Sequence, residues 1–450
     1  MRALPLLRWI GLGVALLIAA ISFGLGLWQN LPAQQAMFYA AATFAAVAWG
    51  WHHYAVRPGE HAASSGAGSG GKSGEFWRRY RAAIIAGVLI IAVFLIASAA
   101  IDGFFTWLNI IACVVLVALI FLSVGLSGLI VANRSAFIGL IVLGGLFILG
   151  ALKVDGFASG ANLKSMLVFA SFLGLACVGQ TLVALLGGLD LSIPFVIGSA
   201  NVGLLYIMGL GVPSVIAIIL ILLLGALVGL INGILSFRLQ GQALILTLGV
   251  GFAISGGTQI LTSIGSKFAG NVFGQVPDWL KNLAAMNGQT FGLDVPPVIL
   301  IWIAVAILMV LGMKNTVYGR YLYALGGNRT SAARMSISER RYWIGVYVIS
   351  GAVSALTGAL LLGWSGGGFI GVGQPYLFMT LAAVVIGGTS LLGGNGGYGF
   401  TVIGVLVLQV LTSFLVGIGL TYEWQQFIFG LLILPMVALY ARSPHVRTQI

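Results

Sequence analysis

Long apolar runs, each close to the length that crosses a bilayer and divided by short polar segments, constrain this 450-residue chain more than any other feature. A hydrocarbon core about 30 Å thick takes roughly 20 apolar residues as a helix. Lipid offers no partner to backbone N–H and C=O groups, so such runs close their hydrogen bonds as helices even where Ile and Val abound. Composition agrees: 60% of residues are hydrophobic and 7% are charged, against about 25% charged in an ordinary soluble domain. The chain cannot cover a water-facing surface. The expected fold class is all-α, a polytopic membrane helical bundle with interrupted helices.

Candidate spans fall at about 7–28, 36–55, 82–101, 104–131, 136–152, 165–187, 194–210, 214–237, 242–262, 297–313, 342–363, 375–390, 399–418 and 424–441, about 14 in all. The first is basic at its start like a signal peptide, but its apolar run continues to about Trp28, so it is read as an uncleaved span. Basic residues mark the cytoplasmic side. Arg57, Lys72, Arg78, Arg79 and Arg81 mark one such segment. Lys314, Arg320, Arg329, Arg334, Arg340 and Arg341, set against Glu339, mark another. The stretch from about Gly265 to Pro297, with Lys267 and Lys281 balanced by Asp278 and Asp294, is expected outside. This parse puts both termini in the cytoplasm. The formal charge of +12 is spread between apolar runs, not along aromatic-interleaved stripes, and so indicates topology, not nucleic-acid binding.

Four segments follow: a two-span extension at 1–57, a Gly/Ser linker at 58–74, an additional two-span segment at 75–135, and a core at 136–450. Gly66, Gly71, Lys72 and Ser73 in the linker match a phosphate-loop pattern. The match is set aside, because no apolar strand delivers it to a helix N-terminus. Cys113 and Cys177 lie in apolar runs without His or Cys at metal-ligand spacing and read as small buried hydrophobes. His52 and His53 read as interfacial. No catalytic residue and no metal ligand is assigned.

Asp190 is the one acidic residue deep within a continuing apolar region. A carboxylate there costs on the order of 2.5–3.5 kcal/mol on insertion scales unless a polar cavity or freed backbone N–H groups receive it. Gly187, Gly188 and Pro194 bracket it and suggest a broken helix. Asp190, assisted by Ser192, then either caps the second half-helix or contacts solute. A second cluster, GGTSLLGGNGG, contains Gly387, Gly388, Thr389 and Ser390, and the stretch from Gly366 to Gly373 is followed by Gln374. Irregular backbone at membrane depth is tolerated where protein or a water-filled cavity covers it. These residues are expected along a translocation pathway, close helix packing through small residues being the alternative. The segment GRYLYALGGNRTSAARMSISERR exceeds a simple helix connection. A turn at Gly326, Gly327 and Asn328 is expected to lead into a short helix over Ser331–Met335, with Thr330 or Ser331 as its N-cap.

At these residues the chain resembles the permease subunits of bacterial ABC importers for monosaccharides, the ribose, xylose and arabinose group. The likeness rests on GGLDLS at Gly187–Ser192, NGILSFRLQGQALILTLG at Asn232–Gly249, GRYLYALGGN at Gly319–Asn328, AAR at Ala332–Arg334, and GGTSLLGGNGG. It implies an inner-membrane importer in which a second permease copy or paralogue, ATP-binding subunits and a periplasmic solute-binding protein join this chain. The permease itself holds no cofactor; ATP and Mg belong to the partner ATPase. Gly326, Asn328, Ala332, Ala333 and Arg334 match the family segment that contacts the ATPase. A proton-coupled carrier would place ionisable relays within its spans, and a membrane enzyme would need a nucleophile, metal cluster or acid/base pair. Residues 1–135 fall outside the likeness.

Overall fold

The computed structural model describes residues 134–239, 243–264 and 270–441, within the compact unit Ser135–Ile450 save for Arg134. The extension, the linker, the first four expected spans and both termini lie outside these residues. Eight helical stretches among the described residues are long and apolar enough to cross a membrane. The all-helical expectation holds for them apart from one short strand pair.

In chain order come α1 (Arg134–Lys153), α2 (Gly160–Leu185), α3 (Ile193–Gly209), α4 (Ser214–Arg238), α5 (Ala243–Ser263), β1 (Asn271–Val272), α6 (Asp278–Ala284), α7 (Pro297–Asn315), α8 (Val317–Gly327), α9 (Arg329–Arg334), α10 (Glu339–Ser365), β2 (Gly368–Phe369), a 3-10 turn (Ile370–Gly373), α11 (Tyr376–Gly387), α12 (Tyr398–Gly417) and α13 (Tyr422–Ala441). Local chemistry sets several ends. Ser159 accepts from the Asn162 N–H at the start of α2 and Thr316 from the Gly319 N–H at the start of α8, each satisfying a donor that the helix leaves open. Gly366, at φ 70°, closes α10 in a left-handed turn.

Helix α10 is the central post, packed by α2, α3 and α4. Gly225, Gly229 and Gly233 of α4 lie against Gly351, Tyr347 and Ile344 of α10. A side chain at Gly229 would meet the Tyr347 carbonyl oxygen. Small residues let the two backbones close without side chains between them, the usual solution where lipid gives no hydrophobic drive to helix association. The outward faces of α4 and α5 stay apolar and open, with Leu223, Ile245 and Phe252 exposed, as lipid or a neighbouring subunit requires.

Contacts along α10 also fix direction. Gly179 meets Ser350 and Gly188 meets Trp343, so α2 runs against α10, whereas Gly358 meets Ile197 and α3 runs with it. The interruption around Asp190 is thus a reversal between two separate helices, not a break within one. The Gly366–Gly373 stretch is different. Gly368 lies by Val202, Ile370 by Gly198 and Gly373 by Pro194, so the chain comes back down α3 as β2 and the 3-10 turn before α11 begins. Helix α11 has 12 residues, about 18 Å at 1.5 Å per residue, too short to span alone. β1 pairs antiparallel with β2 beside this segment, and the Asn201 side-chain oxygen accepts the Phe369 N–H. That is how non-helical backbone at depth is satisfied by protein.

One end of the bundle carries the α2–α3 turn, α8, α9, the start of α10 and the α11–α12 loop; it is called the basic end below. At the far end Lys164 pairs with Asp294 at 2.6 Å and Lys281 with Asp278 at 3.4 Å. The charge balance expected for that stretch is made by ion pairs, one of them to α2; Lys267 lies outside the described residues.

Candidate functional site at the basic end

Asp190 is buried, at 2% exposure, and both of its carboxylate oxygens are engaged. Oδ1 accepts from the Ser192 N–H at 3.0 Å and the Ser192 hydroxyl at 2.6 Å, and Oδ2 accepts from the Ser350 hydroxyl of α10 at 2.6 Å. Asn232 of α4 donates to Ser192 Oγ at 2.8 Å. Tyr347 donates to the Leu189 carbonyl at 3.0 Å, and Thr247 of α5 accepts from the Leu191 N–H at 3.0 Å. One turn therefore ties α3, α4, α5 and α10. These hydrogen bonds offset much of the cost of burying the carboxyl group. The N-cap of α3 is Ser192, whose own side chain makes no cap bond. Asp190, two positions before it, accepts from Ser192 in an Asx-type turn and is not itself the cap that the sequence suggested.

The second glycine cluster is built from backbone. Gly388, Gly393, Gly394, Gly396 and Gly397 have φ between 71° and 148°, a range side-chain-bearing residues avoid. Thr389 accepts from the Gly397 N–H at 3.1 Å, and the Ser390 N–H donates to the Asn395 carbonyl at 2.9 Å. Thr389 is fully buried. Gly387, the last residue of α11, lies against Phe400 and Thr401 of α12, where its missing side chain permits backbone contact. Gln374 ends the 3-10 turn in front of α11 and is exposed.

The segment that the resemblance assigns to ATPase contact departs from expectation in detail. Gly326 and Gly327 complete α8 and form no turn. Asn328 alone is extended, and its side-chain oxygen accepts from the Ser331 N–H at 2.9 Å, so it, not Thr330 or Ser331, caps α9. An Asx oxygen reaches a donor two or three residues ahead and captures the helix earlier than the hydroxyls that follow it. Helix α9 thus starts at Arg329, two residues before the expected Ser331. Ala332 and Ile337 point inward, while Ala333, Arg334 and Met335 are exposed.

The three candidate regions meet at the end of α2. The Gly394 N–H donates to the Leu185 carbonyl at 2.9 Å. A side chain on Gly326 would strike that same carbonyl oxygen and the Gly394 nitrogen. Tyr323 of α8 donates to the Gly396 carbonyl at 2.8 Å, and Arg329 donates to the Leu186 carbonyl at 3.0 Å. Gly187, Gly326, Asn328 and Gly388–Ser390 therefore belong to one neighbourhood, with Asp190 and Ser192 at its inner edge; Gln374 lies apart, beside α3. Sequence reasoning missed Asn232, Thr247, Ser350 and Tyr347. An amide in the apolar run of α4 was a usable signal for Asn232, but nothing local marks Ser350, which sits 160 residues from its partner. Among the described residues no group of His, Cys, Asp and Glu is arranged to hold a metal ion.

Residues 162–437 match the family model described as branched-chain amino acid transport system / permease component. The chain belongs to this family. Among curated relatives, the permease is 34% identical over 299 residues to the "Probable ABC transporter permease protein YphD" of Escherichia coli K12, covering 66% of this chain and 87% of that one. It is 30% identical to the ribose import permease protein of Haemophilus influenzae over 69% of this chain and 93% of that protein. The fructose import permease protein of Bifidobacterium longum is 31% identical over 62% and 82%. No solved structure matches with significance. The protein is thus a multi-pass membrane permease subunit of an ABC importer, a transport component and not an enzyme.

Proposed function

We propose that the permease forms half of the path by which a monosaccharide enters the cytoplasm, paired with a second permease copy or paralogue in the inner membrane. A solute-binding protein delivers the sugar from outside, and ATP with Mg acts on a separate ATP-binding subunit. The permease relatives that import ribose and fructose support the solute class. The positive-inside distribution supports a cytoplasmic basic end and cytoplasmic termini.

The observation that carries the mechanism is the convergence at the end of α2. Helix α9 offers Ala333, Arg334 and the exposed Met335 outward, while at the segment's other end Gly326 lies beside the Leu185 carbonyl and Arg329, next to Asn328, donates to the Leu186 carbonyl. An ATPase seated on this segment pushes on helix ends that lead into the α2–α3 turn, where Asp190 and Ser192 fix α3. Rigid helices carry a small displacement at one end to the depth where Gly373, Gln374 and α11 line the returning segment. Asp190, Ser192, Gly187, Gly188 and Gln374 serve as the moving walls of the path, and Gly387–Ser390 as its fixed wall.

The test is uptake of radiolabelled ribose and fructose into inverted-free, ATP-loaded proteoliposomes containing the permease, its ATP-binding subunit and the binding protein. Uptake is expected only with hydrolysable ATP. Transport that persists without ATP, or a permease that recovers no ATP-binding subunit on purification, would overturn the reading.

A further inference from the structure

Arg329, the first residue of α9, keeps 41% of its side chain exposed but turns its guanidinium back toward α2 and α10. Its Nη2 donates to the Leu186 carbonyl at 3.0 Å, at the C-cap of α2. Its Nη1 stands 3.2 Å from Glu339 Oε1 at the start of α10, and its guanidinium lies 5.1 Å from the centre of the Trp343 ring. Trp343 in turn donates to Ser236 of α4 at 2.8 Å. One side chain therefore joins α9 to α2 and α10, and through Trp343 to α4. A planar guanidinium can fork to a carbonyl and a carboxylate while stacking on an indole; an ammonium cannot.

Beside the indirect path through Tyr323, Gly396 and Gly394, two direct contacts join the coupling segment to the end of α2, and they differ in kind. At Gly326 the backbones of α8 and α2 are in hard contact. Such a contact resists compression strongly but separation only through weak dispersion. Arg329 is bonded across its gap and resists separation as well. It also borders a cavity of about 740 Å³ lined by Gly187, Gly188, Leu189, Ser236 and Trp343, so among the described residues this side of the turn faces open space. A withdrawal of α9 can be passed to the turn through this bonded side chain but not by pushing.

We propose that Arg329 is the positioning residue that makes the α2–α3 turn follow the coupling segment in both directions, the hard contact at Gly326 serving for the inward push. This rests on the reading that an ATP-binding subunit docks on α9. Glu339 and Trp343 hold the guanidinium between them.

The test uses the full chain with its ATP-binding subunit in proteoliposomes. Cys113 and Cys177 are replaced and Leu189→Cys is introduced as a reporter facing the cavity. With Arg329 intact, the rate of maleimide labelling at that cysteine is expected to change at least about fivefold between nucleotide-free and vanadate-trapped states. Arg329→Met is expected to abolish the change while the ATP-binding subunit still co-purifies and hydrolyses ATP, and Arg329→Lys to leave a partial change. Retention of the full change in Arg329→Met overturns the proposal. So does loss of the ATP-binding subunit from Arg329→Met alone, which makes Arg329 a docking residue. If the parent chain recovers no ATP-binding subunit, the docking reading falls first and this inference with it.

Discussion

The two turns that meet at the basic end solve the same problem with different materials. Both reverse the chain between apolar helices, and both are marked by glycine. The α2–α3 turn is held by side chains, a carboxylate receiving two hydroxyls and an amide N–H, reinforced from α4, α5 and α10. The α11–α12 loop is held mainly by backbone, with positive φ at Gly393, Gly394, Gly396 and Gly397, a threonine bridging its ends, and outside bonds from Tyr323 and to the Leu185 carbonyl. Side-chain bonds tie distant helices together and can be re-formed when those helices shift. A glycine-built loop has little side-chain freedom to lose and behaves as a rigid block. The contrast suits a permease in which one turn moves with the helices it joins while the other gives the coupling segment a firm seat.

Asp190→Leu tests the first half hardest. It strands the Ser192 N–H and the hydroxyls of Ser192 and Ser350 in a buried site, and a loss of about 3–5 kcal/mol is expected, read as a large drop in the detergent melting temperature of the purified permease. A near-parental melt would mean the turn is not held by its carboxylate. Asp190→Asn keeps the shape and most acceptors, so a much smaller loss and measurable uptake are expected.

Gly394→Ala probes the other turn. Its φ is 71°, and a methyl carbon added there would lie only 2.7 Å from Gly327 Cα, which leaves it no room. A loss of roughly 2–4 kcal/mol is expected, together with weaker recovery of the ATP-binding subunit, because Gly327 leads directly into α9. Should this variant match Asp190→Asn in stability and docking, the description of the loop as a rigid seat would be wrong.

Ser350→Ala removes one of the donors to Asp190, with a cost of about 1–3 kcal/mol by melting. Because Ser350 belongs to α10 and Asp190 to the turn, uptake is expected to fall more than stability does. A double variant with Asp190→Asn should be less than additive, since the two share one bond; strict additivity would separate them. The smallest effect is expected for Thr389→Val, about 1 kcal/mol, because the remaining loop geometry is fixed by glycine. A loss as large as that of Asp190→Leu would erase the distinction between the turns.

Much of this organisation is legible along the chain. The alternation of apolar runs and basic loops determined the helical membrane fold, because lipid leaves backbone polar groups no partner outside a helix. The odd residues in those runs, Asp190 and the glycine clusters, marked where helices end, since a buried carboxyl group and a missing side chain each need a special setting. The short helix after Asn328 was foreseen, though with a later start and the wrong cap, because Asn, Thr and Ser all offer capping oxygens and only backbone geometry selects among them. Tertiary structure alone decided that the Asp190 interruption is a reversal and that the Gly366–Gly373 stretch returns along α3. It also decided that Ser350, Asn232 and Arg329 converge on the turn at the end of α2. Those are relations between residues far apart in sequence, set by which small side chains let which helices approach, and no local pattern encodes them.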